Sequence, residues 1–425
     1  MDAPARSDSD PGALDPALRR RGRRLALLSH PAGMMHANVY TDQLPTLALV
    51  GLGAGEAWVG AQRAFDPFSE LLQLPTLRAV GRHRKRSILI AGQLVAVAGG
   101  LPLVGYAALQ AAGGSRAVSI ALASLAATTV GLAVSNTVWF PLLRGYVERD
   151  RTGSFFGLLR SGWHLTLIAY FLVAQRWLAA HPGSFGPLFG VATAAGLLRV
   201  ALIARLPEAP VARGERIRIR DALALLRGER RLRSYLAGMI LAGASRRAAI
   251  PFAIVMMRRA MGFSEADVVL TTIGWFAGGF VSLYAWGVVV DRIGTQPVFR
   301  ATALGAAALL ALLAVRGSGG SLPFMIAFFS ALSLLAAGFG VADTHALFAI
   351  APESAATATL VVADVTTSLA YGAAPFAAGL ALDGAIRLGI EPAAAYRVLF
   401  AACAVGTALA LVPLAALRRP LTARG

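Results

Sequence analysis

Arg63, Asp66, Glu70 and Gln73 are separated by three, four and three residues. At about 100° per residue, that spacing puts all four on one helix face within roughly 80°. Arg63 can pair with Asp66 one turn away, which leaves Glu70 as the freer acid. Burial would favour its protonated form, the condition for an acid that takes up and releases protons during a cycle. Structural pairing is the competing role for both acids, with Arg160 or Arg247 as alternative partners for Glu70.

Other segments add polar groups of the same kind. Asn38 and Asp42 share a face near His30 and His36, and Pro31 and Pro45 can interrupt the hydrogen bonding of that helix. Arg160, Trp163 and His164 can approach one side of a later segment. Arg246 and Arg247 are adjacent, so on a helix they point about 100° apart. One is expected to face a cavity and the other a neighbouring polar helix. Arginine stays protonated, so this pair suits an anionic solute or a buried carboxylate, with Asp364 beside Thr366 and Thr367 as a candidate partner. The histidines could equally satisfy local backbone carbonyls.

Several chemistries are not expected. No histidine and acid set has the close spacing of a metal site, and no glycine-lysine-serine or glycine-lysine-threonine phosphate loop occurs. No nucleophile and base constellation accompanies the charges. Cys403 is the single cysteine and is expected to be core packing. The expectation is a non-enzyme with no cofactor and no metal.

The elements that carry these groups are apolar. Of 425 residues, 56% are hydrophobic and only 15% charged, against roughly 25% charged in a soluble protein. Charges inside such stretches are costly unless they face polar partners or a wet cavity. Apolar spans are expected at 26 to 49, 57 to 80, 87 to 111, 117 to 143, 154 to 178 and 184 to 204. A second set follows at 234 to 257, 266 to 289, 298 to 315, 321 to 344, 355 to 382 and 394 to 416. These lengths suit a hydrocarbon core of about 30 Å, the ninth being short. The fold class is therefore an all-α integral membrane protein, with about twelve transmembrane helices in two six-helix bundles. The expected division is a basic tail at 1–25, a first bundle at 26–204, a basic linker at 205–233, a second bundle at 234–416 and a tail at 417–425. In the linker, Ile217, Ile219, Leu223, Leu225, Leu226 and Leu232 interleave with arginines, as in a surface amphipathic helix.

The net charge of +18 would suit nucleic acid, but its distribution does not. Arginines crowd the N-terminal tail from Arg6 to Arg24, then Arg82 to Arg86, then Arg144 to Arg151, and nine lie between Arg205 and Arg233. Those groups fall in alternate connections. The others carry mostly isolated arginines such as Arg116, Arg316 and Arg387. This is the positive-inside asymmetry, and it predicts a multi-pass protein of the inner membrane with both termini cytoplasmic. Anionic lipid accounts for the basic surface, and nucleic acid is not expected.

A local repeat links the halves. Arg78, Gly81, Arg82 and Arg84 follow the second span, and Asp291, Arg292, Gly294 and Arg300 follow the eighth, with Gly81 and Gly294 separated by 213 residues. The run from Gly287 through Arg300, preceded by Trp286, resembles the signature of the major facilitator superfamily between its eighth and ninth helices. Gly287 would permit close helix approach, Asp291 would accept hydrogen bonds from a neighbouring helix terminus, and Gly294 would permit a tight turn. Gly145 through Arg160, with Arg149, Arg151, Gly153, Phe155, Phe156 and Gly157, is similar to the family's connection after helix four, as Pro352 and Glu353 are after helix ten. The first-half copy departs from the pattern at Arg78, where an acid is usual, and the second-half copy at Thr295 and Gln296. The resemblance implies that helices one, four, seven and ten line a central path. Asn38, Asp42, Asn136, Trp139, Arg246 and Arg247 are then candidates by position.

The expected function is secondary transport of a small polar or anionic solute by alternating access, with a proton as possible coupling ion, by a chain able to act as a monomer. A scaffold or assembly factor that keeps the bundle without transporting is the alternative from another class.

Overall fold

The computed structural model describes residues 14–80, 83–143, 145–147, 152–208, 228–351 and 356–417. The N-terminal residues up to 13, the amphipathic stretch at 209–227, and Gly81, Arg82, Arg149, Arg151, Pro352 and Glu353 lie outside them. No strand occurs among the described residues. The first half contains α1 (Pro16–Thr41), α2 (Gln43–Gly51), α3 (Glu56–Glu70), α4 (Gln73–Val80), α5 (Lys85–Val104), α6 (Tyr106–Ala112), α7 (Gly114–Leu143), α8 (Thr152–Ala180) and α9 (Gly186–Ile203). The second contains α10 (Arg230–Arg259), α11 (Glu265–Ile293), α12 (Thr295–Arg316), α13 (Leu322–Ile350), α14 (Ala356–Arg387), α15 (Pro392–Leu409) and α16 (Leu411–Ala415).

Among the described residues, ten helices are long and apolar enough to cross a membrane. The first two crossings are made instead by broken pairs, α1 with α2 and α3 with α4, none of whose helices is among those ten. These are the segments that carry Asn38, Asp42, Arg63, Asp66 and Glu70. Large aliphatic side chains face outward along the long helices: Val173 is 64% exposed, Val398 70% and Val281 74%. Exposure on that scale fits a hydrocarbon surround rather than water.

Within each half, small residues let backbones touch. A Cβ on Gly131 would lie 2.3 Å from the Ala96 nitrogen, and one on Gly92 would lie 2.6 Å from the Ser135 nitrogen, so α5 and α7 cross backbone to backbone. Between the halves there are two main seams, α3 on α14 and α8 on α11. At the first, Gly60 faces the Pro375 carbonyl and Gly379 faces the Glu56 carbonyl, at 2.4 and 2.5 Å from an added Cβ.

The apolar core shows how the halves meet. One cluster runs from Val39 and Phe171 in the first half to Phe252 and Phe400 in the second, joining them at the end far from the tails. At the tail end, where α1 begins and α16 ends, the cores are separate. One contains Leu142 and Phe155, the other Phe299 and Phe339. The halves therefore close on each other at the far end and part toward the tail end.

The turn after α11 is made by Gly294, at φ 81°, whose N–H donates to the Val290 carbonyl at 2.8 Å. An added Cβ would meet nothing within 4 Å, so the requirement for glycine is conformational rather than steric. Gly294→Ala should cost about 1–2 kcal/mol, and Gly294→Val more because its side chain is β-branched. Thermal unfolding of the purified variants in detergent checks this; midpoints equal to wild type would remove the claim. Gly287 behaves otherwise than expected. Nothing lies within 4 Å of a Cβ placed there, and the close approach is at Gly338, where a Cβ would lie 2.5 Å from the Trp286 ring.

Candidate functional site

The break in the first crossing builds the centre of the site. Pro45, in the first turn of α2, has no N–H to give the Thr41 carbonyl one turn back. Arg63 of α3 supplies that hydrogen: its Nη1 donates to the Thr41 carbonyl at 2.6 Å and to the Asp42 carbonyl at 2.7 Å. Its Nη2 lies 3.9 Å from the Asp42 carboxylate. Arg63 is thus held by the break in the neighbouring helix. Among the described residues no ion pair joins it to Asp66, which corrects the pairing expected from spacing alone.

Asp66 and Glu70 continue the same face toward the second half. The Ser368 hydroxyl of α14 donates to the Glu70 carboxylate, so this acid is tied across the seam to a residue that spacing did not single out. The charges of Asp66, Asp364 and Arg247 all act on Glu70, and those of Arg63, Asp66 and Arg247 act on Asp42. Arg247 lies over the Tyr371 ring, 4.8 Å from its centroid. Arg246 points the other way, into a small cavity inside the second half beside Thr302, Phe339 and Thr407. The divergence expected for the adjacent pair is present, with Arg247 as the seam-facing member. The Arg247 charge acts on Asp364 without reaching ion-pair distance among the described residues. Asp343, bonded to the Tyr235 hydroxyl and within electrostatic reach of Arg246, was not anticipated.

The side chains of the other candidates make no hydrogen bond or ion pair with this cluster among the described residues. Asn38 spends its amide on the Met34 carbonyl of its own helix, at 2.8 Å. Asn136 is exposed. Trp139 does not line a central path: it is 3% exposed within the tail-end core of the first half and stacks on His30. Arg160 is exposed, and its carbonyl lies 2.9 Å from His164 Nδ1. The His164 ring sits at the α8–α11 seam against Phe276 and Phe280. In the signature turn Asp291 is 71% exposed and 3.9 Å from His345, and Arg292 is exposed. Among the described residues the ion-pair partner of Asp291 is that histidine of α13.

At the far end a double latch, not foreseen from the sequence, closes the halves. Glu56, the first residue of α3, accepts from Arg259 at 2.5 Å and from the Tyr396 hydroxyl at 2.7 Å, both in the second half. Arg259 also donates to the Ala54 carbonyl. Glu265, the first residue of α11, accepts from the Gly183 N–H of the first half at 2.7 Å and pairs with Arg258 at 3.4 Å. The two acids hold equivalent places at the start of the second crossing of each half. That equivalence is the signal by which they could have been found. Among the described residues no group of three or more histidines, cysteines, aspartates or glutamates could hold a metal ion.

No protein-family model matches the sequence, and no curated protein matches it. Solved structures do. A point mutant of the nucleoside transporter NupG matches at TM-score 0.72 and 15% identity, over 95% of this chain and 100% of that one. A POT family transporter in complex with a thioalcohol-conjugated peptide matches at 0.72 and 12%, over 93% and 97%. A bacterial homologue of the human lysosomal transporter Spinster, in an inward-facing and unoccupied conformation, matches at 0.65 and 12%, over 94% and 95%. Ten apolar helices and two broken helix pairs among the described residues, two interbundle seams and these full-length likenesses agree: the chain has the fold of these transporters, the fold that the resemblance to the major facilitator superfamily implies.

Proposed function

We propose that this chain is a secondary transporter that moves a small polar solute by alternating access, with protons as the coupling ion. The observation that carries this reading is the polar cluster at the seam of the two halves, latched at the far end and parted toward the tail end. The nucleoside and peptide transporters of the same fold support a small organic solute.

The arginine pair raised the expectation of an anion. Around it, however, five carboxylates (Asp42, Asp66, Glu70, Asp343 and Asp364) share three guanidiniums (Arg63, Arg246 and Arg247). When all are ionised the cluster lacks positive charge, and buried charge of one sign is costly. Protons fill the shortfall in this reading, leaving Arg63 and Arg247 able to hold an anionic group of the solute. A cationic group on the solute would fill it without protons. Reconstitution in liposomes distinguishes these cases: with nucleosides, dipeptides and carboxylates as probes, an imposed pH gradient should drive accumulation with linked proton flux. Accumulation without proton flux would remove the proton, and no flux of any probe through folded protein would favour the scaffold reading.

We place the tail end in the cytoplasm of an inner membrane, because the densest arginine groups lie on that side, where anionic lipid would meet them. One chain supplies both halves, so a monomer suffices. Cysteines introduced at Asp10 and Ala222, in a Cys403→Ser background, should be protected in intact cells from a membrane-impermeant reagent. Labelling of both from outside would reverse the orientation.

A further inference from the structure

Inside the first half, Arg199 of α9 is only 2% exposed, yet its guanidinium makes no hydrogen bond or ion pair among the described residues. The fold makes room for it on purpose of shape: a Cβ on Gly33 of α1 would lie 2.2 Å from Arg199 Nη1. The guanidinium lies over Trp139 of α7, 5.1 Å from the ring centroid. His30 stacks on that same indole at 5.7 Å with an interplanar angle of 1°. The Arg199 charge also reaches His36, whose Nδ1 is 2.9 Å from Gln93. Ser135 lies one turn before Trp139 on the same face.

Six buried polar atoms around this point have no partner: His30 Nδ1, His36 Nε2, Gln93 Oε1, Ser135 Oγ, Trp139 Nε1 and Arg199 Nε. Buried polar groups are nearly always satisfied, so a concentration of exceptions calls for an occupant. Arginine does not escape its charge by losing a proton, and a cation–π contact answers only part of it. Water could satisfy the donors but brings no counter-charge. The arginine and indole N–H groups and the serine hydroxyl offer hydrogens around one positive charge, and an anion satisfies those donors and that charge; Gln93 Oε1, which only accepts, is not one of its ligands.

We propose that Arg199, Trp139, Ser135 and the two histidines form a resident site for one small monovalent inorganic anion of halide size. The site lies on α1, α7 and α9 of the first half, separate from the seam cluster on α3, α10 and α14. It joins α1, α7 and α9 into one unit near the tail end of the first half.

The test uses the full chain in detergent, with thermal unfolding followed in sodium chloride or bromide against sodium gluconate at fixed ionic strength. The wild-type midpoint should rise with halide and saturate. Arg199→Met should abolish that dependence and, in gluconate, unfold no lower than wild type, because it removes an uncompensated buried charge. Trp139→Phe deletes one donor and should raise the half-maximal halide concentration about tenfold. Crystals grown in bromide should show an anomalous peak beside Arg199, which decides the matter even if Arg199→Met does not fold. An equal halide response in wild type and both variants, or bromide crystals with no peak in the cluster, would overturn the site.

Discussion

Glu70→Gln should abolish accumulation driven by a pH gradient while leaving exchange of solute across the membrane. One coupled proton supports about tenfold accumulation per pH unit of gradient, and the variant should bring that ratio to unity. The reason lies in where Glu70 sits. Its carboxylate accepts from Ser368 across the seam, and Asp66, Asp364 and Arg247 act on it. A hydroxyl donor stabilises an ionised carboxylate by about 1.5–3 kcal/mol, but only while α3 and α14 hold this contact. Rearrangement of the halves therefore changes the relative free energy of the protonated and ionised forms, which is what coupling requires. Glutamine keeps the size and can accept from Ser368, so folded yield should survive. The measurement is solute-linked proton flux into liposomes holding purified Glu70→Gln protein. Coupling at the wild-type ratio would eliminate Glu70 and transfer the role to Asp66 or Asp42, where the same assay on Asp66→Asn and Asp42→Asn applies.

The sequence made the helices and the polar stripe legible because both follow from periodicity. Arg63, Asp66 and Glu70 do share a side of α3, and the arginines of α10 do diverge. Partners across helices were not legible, since periodicity describes one helix at a time. Arg63 had an acid one turn away, yet Pro45 uncovers a carbonyl on another helix that outcompetes it. The helix that carries Trp139 points to a central path, but the rotation of Trp139 about that helix turns it toward His30 and Arg199. Arg199 itself is a lone charge in an apolar run, a pattern with no partner at helical spacing. Glu56 and Arg259 lie at span edges, where a charge ordinarily marks only the membrane boundary. Their meeting depends on how two halves lean together.

That leaning is the basis of the second large effect. Glu56→Ala should shift the population away from the far-end-closed arrangement by about 30-fold, the equivalent of about 2 kcal/mol for losing a charge-assisted contact. Glu56 is 5% exposed and joins Arg259 and Tyr396 of the second half at one carboxylate oxygen, so its removal strands a guanidinium and a phenol together. Arg259 retains the Ala54 carbonyl, and Glu265 retains Gly183, so the halves lose one latch and keep another. The glycine crossing at Gly60 and Gly379 lies just below and is untouched by the substitution. Folding should therefore hold while access changes. Spin labels at Ser115 and Ser318, exposed positions near the far end in opposite halves, report the separation directly. Wild type should give a short distance, and Glu56→Ala a second, longer population. Exchanging the charges, with Glu56→Arg and Arg259→Glu together, should return much of the short population, because the pair would again meet across the seam. Distance distributions identical in wild type and Glu56→Ala would mean that the Glu265 contacts and the apolar core close the far end by themselves, with Glu56 contributing nothing to access.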